Sequence, residues 1–449
     1  MKNHILKSMS RSNNFFSVLS NGIGAIVGLL SFILLTRTLE KTEFGAWVIY
    51  ISAATFLDIL RNGLVHTALV RFYSGAETDE KKIIVGSSWL IALGVTVVLW
   101  IFVVTVSFIF ADSIQTSSFD LFFRWYPIYA LASLPYGLAA WLLHAKQNFD
   151  RLLILRVLFR AGFLLFLLFN AGFLHWGVES IILGHIGVNL LMSIFSLLKG
   201  WTEFNTIFQA ERKKVMELLH FGKYCIGTLL GSNLLKSSDI FIIGWLLGPV
   251  AVAVYSVPLK LIEIIETPLR GFTATALPEM SKRSINNQMK SFCDYFIKYS
   301  ALLTVLLLPI IAGCFVFADK LVLLVGGENY RNSAILLQIF CVYSIFLPLD
   351  RYLGMALDSI NKPQYNFLKM IIMVVVNVGG NFLAIRVWGE LWAVAMVTIS
   401  TFIIGVLAGL ILLRKNLRID LSSAVVNILN VKSLFYYQSY LEKDSSLND

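Results

Sequence analysis

Apolar stretches of about 20 residues recur along the whole chain, and each is long enough to cross roughly 30 Å of hydrocarbon. A soluble protein carries about 25% charged residues. This chain is only 14% charged and is 57% hydrophobic. The pattern predicts an all-α polytopic membrane protein with about 12 transmembrane helices. The predicted spans are approximately 14–36, 45–70, 84–111, 121–143, 152–173, 178–199, 221–247, 250–277, 296–318, 332–357, 364–387 and 391–413.

A weak internal repeat relates the first six spans to the last six. Ser20-Asn21 corresponds to Ser232-Asn233, and the turn that starts at Leu39 corresponds to the one at Leu247. The offset is roughly 210 residues, and because each half has an even number of spans the repeat is parallel. We therefore predict two six-helix lobes with a central cavity between them. The predicted domains are an N-terminal lobe (1–199), a cytoplasmic amphipathic linker (200–220), a C-terminal lobe (221–418) and a cytoplasmic tail (419–449).

The distribution of lysine and arginine in the loops predicts the orientation. With the N-terminus inside, about 24 basic residues lie on that side and only about six on the other. Both termini are therefore predicted to be cytoplasmic. The linker carries a basic cluster at Arg212, Lys213 and Lys214 and is predicted to form a surface helix.

Motifs for enzymatic chemistry and for metal binding are absent from the sequence. The four cysteines form no CxxC pair, and the six histidines show no metal-ligand spacing. No phosphate-binding P-loop or nucleophile elbow is present, and the predicted loops are short. The net charge of +10 is spread over helix ends, which does not favour a nucleic-acid partner. We predict neither an enzyme nor a resident cofactor. The function class that remains is transport of a substrate across the membrane.

Charged residues inside the predicted spans are the strongest functional signal. An ionisable group at membrane depth costs several kcal/mol, so it faces a protein interior or a water-filled cavity. The candidate substrate-binding residues are Arg61, Arg156, Arg160, Lys236, Lys260 and Arg270, and the candidate ion-coupling residues are Asp58, Asp239, Glu263 and Glu266.

Two interpretations of these charges stay open. Helical spacing allows internal pairs, namely Asp58–Arg61, Lys236–Asp239, Lys260–Glu263 and Glu266–Arg270. Arg156 and Arg160 have no acidic neighbour in sequence, so either another helix supplies partners or the cavity is net positive. A positive cavity suits an anionic substrate, because guanidinium groups match phosphate oxygens. A diphosphate headgroup that carries sugars is the membrane substrate that fits best.

Several segments resemble a known family. These are LLTRTLEKTEFGAWVIYIS, SSDIFIIGWLLGPVAVAVYSVPLKL, ALPEMSKR and NKPQYNF followed by NVGGNF. In this order they resemble the Wzx-type O-antigen or capsule repeat-unit flippases of the multidrug/oligosaccharidyl-lipid/polysaccharide (MOP) exporter superfamily. The chain departs from the family pattern at Leu39-Glu40, where the family has Leu-Gly, and it has no acid in span one.

The resemblance implies a pair of lobes that alternate access to the two sides. The implied activity is export of undecaprenyl-diphosphate-linked oligosaccharide across a bacterial inner membrane for surface polysaccharide synthesis. Further implied partners are a proton or sodium ion, membrane lipids and polysaccharide polymerase or assembly proteins. By helix and chemistry, the resemblance also places Arg61, Lys236, Lys260 and Arg270 in a cationic lumen.

Two alternatives remain at this point. A cation-coupled small-molecule or multidrug antiporter would depend on its carboxylates and tolerate neutral residues in place of the basic set. A non-transporting scaffold of polysaccharide assembly would show effects on stability or association but none on flux.

Overall fold

The computed structural model describes residues 22–417, and within this range the chain is helical, with no β-strand. Eight of the described helices are long and apolar enough to cross a membrane, and a bent pair of helices adds a ninth. Within residues 22–417 each predicted span coincides with a helical stretch, which confirms the all-α polytopic fold. In chain order the helices are α1 (Gly22–Thr38), α2 (Lys41–Gly75), α3 (Thr78–Ile109), α4 (Asp120–Ala132 and Leu134–Ala145), α5 (Phe149–Leu174), α6 (Val178–Leu198), α7 (Arg212–Leu246), α8 (Pro249–Ile285), α9 (Met289–Val316), α10 (Glu328–Ser359), α11 (Pro363–Trp388) and α12 (Leu391–Leu417).

Prolines break the fourth helix of each half at matching positions. The two parts of α4 meet at Ser133 with a bend of 50°. Pro135 follows this residue, and a proline cannot donate the backbone hydrogen bond that would continue the helix. In α10 the segment Leu347–Ser359 likewise begins with Pro348 at its second residue. The shared break agrees with the predicted repeat.

A tight turn joins α7 to α8, as the sequence predicts. Gly248 has a φ of +86°, a left-handed conformation that glycine adopts without strain. Pro249 then begins α8, where its missing N–H leaves no helical hydrogen bond unmade. Gly45 of α2 lies against the Pro249 carbonyl so closely that a Cβ atom would collide with it. The turn between α7 and α8 is therefore packed directly on the start of α2.

The contacts divide the chain into two compact units. The first runs as far as Ser256 and includes Val325–Gly327, and the second contains Val257–Leu324 and continues from Glu328. In the first unit α7 packs along α2 and α3. Its Gly222 lies against the backbone of Leu64. The division into lobes at 199 and 221 stays a prediction.

The segment between α6 and α7 differs from the surface helix predicted for 200–220. It forms a turn and a short 3-10 helix at Phe204–Gln209, after which α7 begins with the basic cluster. The segment packs on α3, where the Trp89 indole N–H donates to the Thr202 carbonyl at 2.9 Å. Gly86 leaves room for the backbone of Thr206. In this segment, packing against α3 takes the place of the hydrogen bonds that the predicted surface helix would have made. The predicted tail (419–449) lies outside the described residues.

Candidate functional site

Arg61 is almost wholly buried and fully occupied by protein groups at its tip. Its Nη2 lies 2.5 Å from Asp58 Oδ1, and the same nitrogen donates to Ser133 Oγ at 3.0 Å. Its Nη1 donates to the Ala130 carbonyl at 2.9 Å. The second oxygen of Asp58 accepts a hydrogen bond from the Tyr129 hydroxyl at 3.0 Å. The predicted pair Asp58–Arg61 therefore forms and ties α2 to the break in α4.

Arg156 and Arg160 are in a different situation, one turn apart on α5. Both side chains are partly buried. Among residues 22–417, neither guanidinium has a carboxylate partner or a hydrogen bond. The Tyr136 phenol interacts electrostatically with both. Arg160 also fills the space that a side chain at Gly24 of α1 would take. The two positive charges are thus held close together without an internal anion.

Two histidines lie near Arg156. The α2 segment Asn62–His66 is a π-helix, a form that often marks functional sites. It presents His66 Nε2 to His144 Nδ1 of α4 at 2.9 Å. Arg156 interacts electrostatically with both rings. The basic groups of α2, α4 and α5 therefore form one cluster within the first unit.

The candidates on α8 lie in the second unit and form the pairs that their spacing predicts. Lys260 Nζ is 2.6 Å from Glu263 Oε2, and Arg270 Nη2 is 3.5 Å from Glu266 Oε2. The Arg270 side chain is more than half exposed. These charges are balanced within their own helix and remain accessible.

The two candidates on α7, Lys236 and Asp239, differ in their exposure. Asp239 is buried, and one of its oxygens accepts a hydrogen bond from the Tyr255 hydroxyl at 2.7 Å. Lys236 is exposed. The predicted pairing of Lys236 with Asp239 stays a prediction.

One buried ion pair was missed from the sequence. Lys369 falls inside the predicted span 364–387, is only 4% exposed and lies inside α11. Its Nζ donates to Asp350 Oδ1 at 2.6 Å and to the Asp350 carbonyl at 3.1 Å. Its spacing from the buried Met373 and Asn377 could have shown that it belongs to a buried helical face.

The His66–His144 contact was also not predicted. His66 lies inside a predicted span, and an ionisable group at that depth is a functional candidate in its own right. His144 is 78 residues away, and no local motif links the two. Within residues 22–417, no group of three or more His, Cys, Asp or Glu side chains could hold a metal ion.

The cluster lies in a part of the chain that matches a known protein family. The family model described as "Polysaccharide biosynthesis protein" matches residues 34–335. The chain belongs to this polysaccharide biosynthesis family. The matched range includes both arginines of α5 and both histidines.

A curated relative and solved structures agree with the family. The probable low-salt glycan biosynthesis flippase Agl15 of Haloferax volcanii is 25% identical over 191 residues. That match covers 42% of this chain and only 40% of the flippase. An inward-facing multidrug resistance MATE transporter of the MOP superfamily has a TM-score of 0.71 at 15% identity, covering 91% of this chain and 96% of its own. The lipid II flippase MurJ has a TM-score of 0.68 at 15% identity, with 95% and 92% covered.

The structural likeness shows that this chain has the fold of the MOP superfamily transporters. The predicted resemblance to the MOP superfamily is confirmed by the family match and by the fold. The chain is a multi-pass membrane protein.

Proposed function

We propose that this protein is a flippase for undecaprenyl-diphosphate-linked oligosaccharide repeat units in surface polysaccharide biosynthesis. One observation carries the proposal. Arg156 and Arg160 lie one turn apart at membrane depth, and no carboxylate of residues 22–417 neutralises either of them. Uncompensated charge at this depth is costly unless water or a ligand reaches it. An anionic headgroup is the ligand that these two groups would stabilise.

The geometry of guanidinium groups favours a diphosphate. Each guanidinium offers a planar set of donors that matches two phosphate oxygens, and two of them on one helix face can engage adjacent phosphates. A cationic drug would instead need excess negative charge. In this unit the partly buried carboxylate of Asp58 already has Arg61 and Tyr129 as partners.

The comparisons support a lipid-linked glycan as the substrate class. The family is one of polysaccharide biosynthesis, and two of the similar proteins are named as flippases, one for glycan biosynthesis and one for lipid II. We propose transport across a bacterial inner membrane with both termini in the cytoplasm, since basic residues are concentrated on that side. Alternating access driven by a proton or sodium gradient would supply the direction.

The residues predicted from sequence receive unequal roles in this proposal. Arg156 and Arg160 are the principal headgroup ligands, while Lys236, Lys260 and Arg270 are accessible secondary contacts. Arg61 acts as a structural brace, because both of its terminal nitrogens already donate to protein groups. Asp239, Glu263 and Glu266 remain candidates for ion coupling, as does Asp58.

The test is to delete the gene in its native host and determine on which side of the membrane lipid-linked repeats accumulate. Complementation would use the wild type, the double variant Arg156→Gln/Arg160→Gln and a control, Arg151→Gln, at matched protein levels. Arg151 is an exposed residue of the same helix, so it matches the charge change without touching the cluster. We expect cytoplasmic accumulation that the wild type and the control relieve and the double variant does not.

Other outcomes would redirect the assignment. Repeats that still reach the outer face after deletion would rule out the flippase and lead to drug-efflux assays. Full complementation by the double variant would leave the flippase standing but would remove the α5 arginines from the site.

A further inference from the structure

The contact between His66 and His144 joins two titratable groups from different helices. His66 Nε2 and His144 Nδ1 are 2.9 Å apart, which is hydrogen-bonding distance. Such a bond needs a proton on one nitrogen and a lone pair on the other. The contact therefore limits how many protons the pair can hold.

Close packing fixes the position of the pair. A side chain at Gly63, inside the π-helix, would collide with Ile226 of α7, so these two helices touch directly next to His66. Trp141 stacks on the His66 ring with centroids 6.2 Å apart. Phe149 meets the His144 ring edge-on at 5.7 Å. The rings are therefore held between aromatic side chains.

Arg156 is the charged neighbour that acts on both rings, from α5. The other charged groups of the surrounding helices are engaged elsewhere or exposed. On the packed elements these include Asp58 with Arg61, Arg71 against Phe221, Lys146 with Glu203, Lys214 with Glu80 and Glu217, Arg124 with Asp120 and Glu179, Asp239 with Tyr255, and the exposed Asp150, Arg151, His220, Lys223 and Lys236. The pair therefore faces positive charge, and an anion bound at Arg156 would reverse its electrostatic surroundings.

We propose that His66 and His144 form a proton site that takes up a proton when an anionic headgroup binds at Arg156 and Arg160. This inference rests on the proposed function and adds to it the group that carries the coupled proton. The two neutral rings hold two protons, one of them in the shared hydrogen bond. A third proton makes one ring an imidazolium that donates to the other ring's lone pair. A fourth would leave no acceptor, so the site binds one extra proton.

Coupling between the two sites follows from charge. Without ligand, the guanidinium of Arg156 repels an added proton on the pair. With a diphosphate bound, its negative charge offsets that repulsion and favours the imidazolium. Linkage is reciprocal, so a proton on the pair strengthens headgroup binding by the same factor. Release of the proton on the other side of the membrane would then loosen the headgroup.

The test measures proton uptake on ligand binding by the full-length protein in detergent. The probe is geranyl-diphospho-N-acetylglucosamine, a short-chain lipid diphosphate whose phosphates do not titrate near neutral pH. Calorimetric titration in buffers of different ionisation enthalpy gives the number of protons taken up per bound probe. The variants are His66→Gln and His144→Asn, which place an amide nitrogen or oxygen at the bonded ring atom but cannot take up a proton. His175→Asn is the control, because His175 is exposed, lies outside the cluster and has a left-handed backbone that asparagine tolerates.

For the wild type and His175→Asn we expect uptake approaching about one proton per bound probe, and affinity that rises about tenfold per pH unit lowered. Each dyad variant should lose that uptake and the pH dependence. Thermal unfolding identifies any variant that fails to fold. Proton uptake by the variant that does fold then decides whether the histidines form the proton site. Uptake by both folded variants equal to that of the wild type would overturn the proton site alone. No binding of the probe would count against the proposed function. Binding indifferent to Arg156→Gln/Arg160→Gln would remove the α5 arginines from the anion site, and the proton coupling proposed here would fall with them.

Discussion

Arg61 on α2 and the arginines of α5 are all basic residues of the first unit at membrane depth, yet their surroundings differ. Arg61 is 4% exposed and is held by Asp58, by Ser133 and by the Ala130 carbonyl. Arg156 and Arg160 are partly buried, and within residues 22–417 they have no such partners. The same residue type is used once to hold helices together and once to leave positive charge available.

The difference teaches how to separate structural from functional charge in a membrane protein. Removing one member of a buried pair leaves the other charge stranded, which is strongly destabilising. Removing a charge that has no internal partner strands nothing, so its cost appears in ligand binding. Stability and transport should therefore respond to different substitutions, and the following experiments test that division.

The largest effect is expected for Arg61→Met. This change leaves Asp58 without its cation and removes donors to Ser133 and Ala130, so we expect a loss of about 3–5 kcal/mol in unfolding free energy. Thermal or denaturant unfolding in detergent would measure it. The double variant Asp58→Asn/Arg61→Met should recover much of the loss, because the stranded charge is gone. A single variant as stable as the wild type would show that Arg61 is no brace.

A slightly smaller loss is expected for Lys369→Met in the second unit. Asp350 would be stranded, and we expect a loss of about 3 kcal/mol, at the low end of the range for buried pairs because Lys369 has fewer partners than Arg61. The matched double variant Lys369→Met/Asp350→Leu should be near the wild type in the same unfolding assay. If the double variant were as unstable as the single one, the loss would come from packing and not from the stranded carboxylate.

The helices and the short-range pairs could be predicted from the sequence because their signals are local. The apolar runs predicted the helices of residues 22–417, and the spacing of Asp58 and Arg61 or of Lys260 and Glu263 predicted pairs that the structure contains. The tight turn at Gly248 was likewise visible in three consecutive residues.

Contacts between helices could not be predicted in this way. Lys369 finds Asp350 19 residues earlier, and His66 finds His144 78 residues later. Neither separation has a periodic signal, since it depends on which faces of two helices meet. The sequence shows that Arg156 has no acid close to it along the chain, but only the packing shows that no other described helix supplies one.

The α5 arginines should show the reverse of the Arg61 behaviour. For Arg156→Gln we expect about tenfold weaker binding of geranyl-diphospho-N-acetylglucosamine, equivalent to about 1.4 kcal/mol. Unfolding free energy should change by less than about 0.5 kcal/mol, because no partner is stranded. Arg151→Gln is the control for the charge change on the same helix. A variant that unfolds easily but binds normally would assign Arg156 to the structural class.

The smallest effect is expected for the exposed pair on α8. Lys260 and Glu263 are 2.6 Å apart, but the Glu263 side chain is half exposed, so water screens the attraction. A double-mutant cycle with Lys260→Gln and Glu263→Gln should give a coupling of about 0.2–1 kcal/mol in unfolding free energy. We propose Lys260 as a secondary headgroup contact, so Lys260→Gln should slow flipping more than it changes stability. A coupling above about 2 kcal/mol would place this pair with Arg61 and remove Lys260 from the transport path.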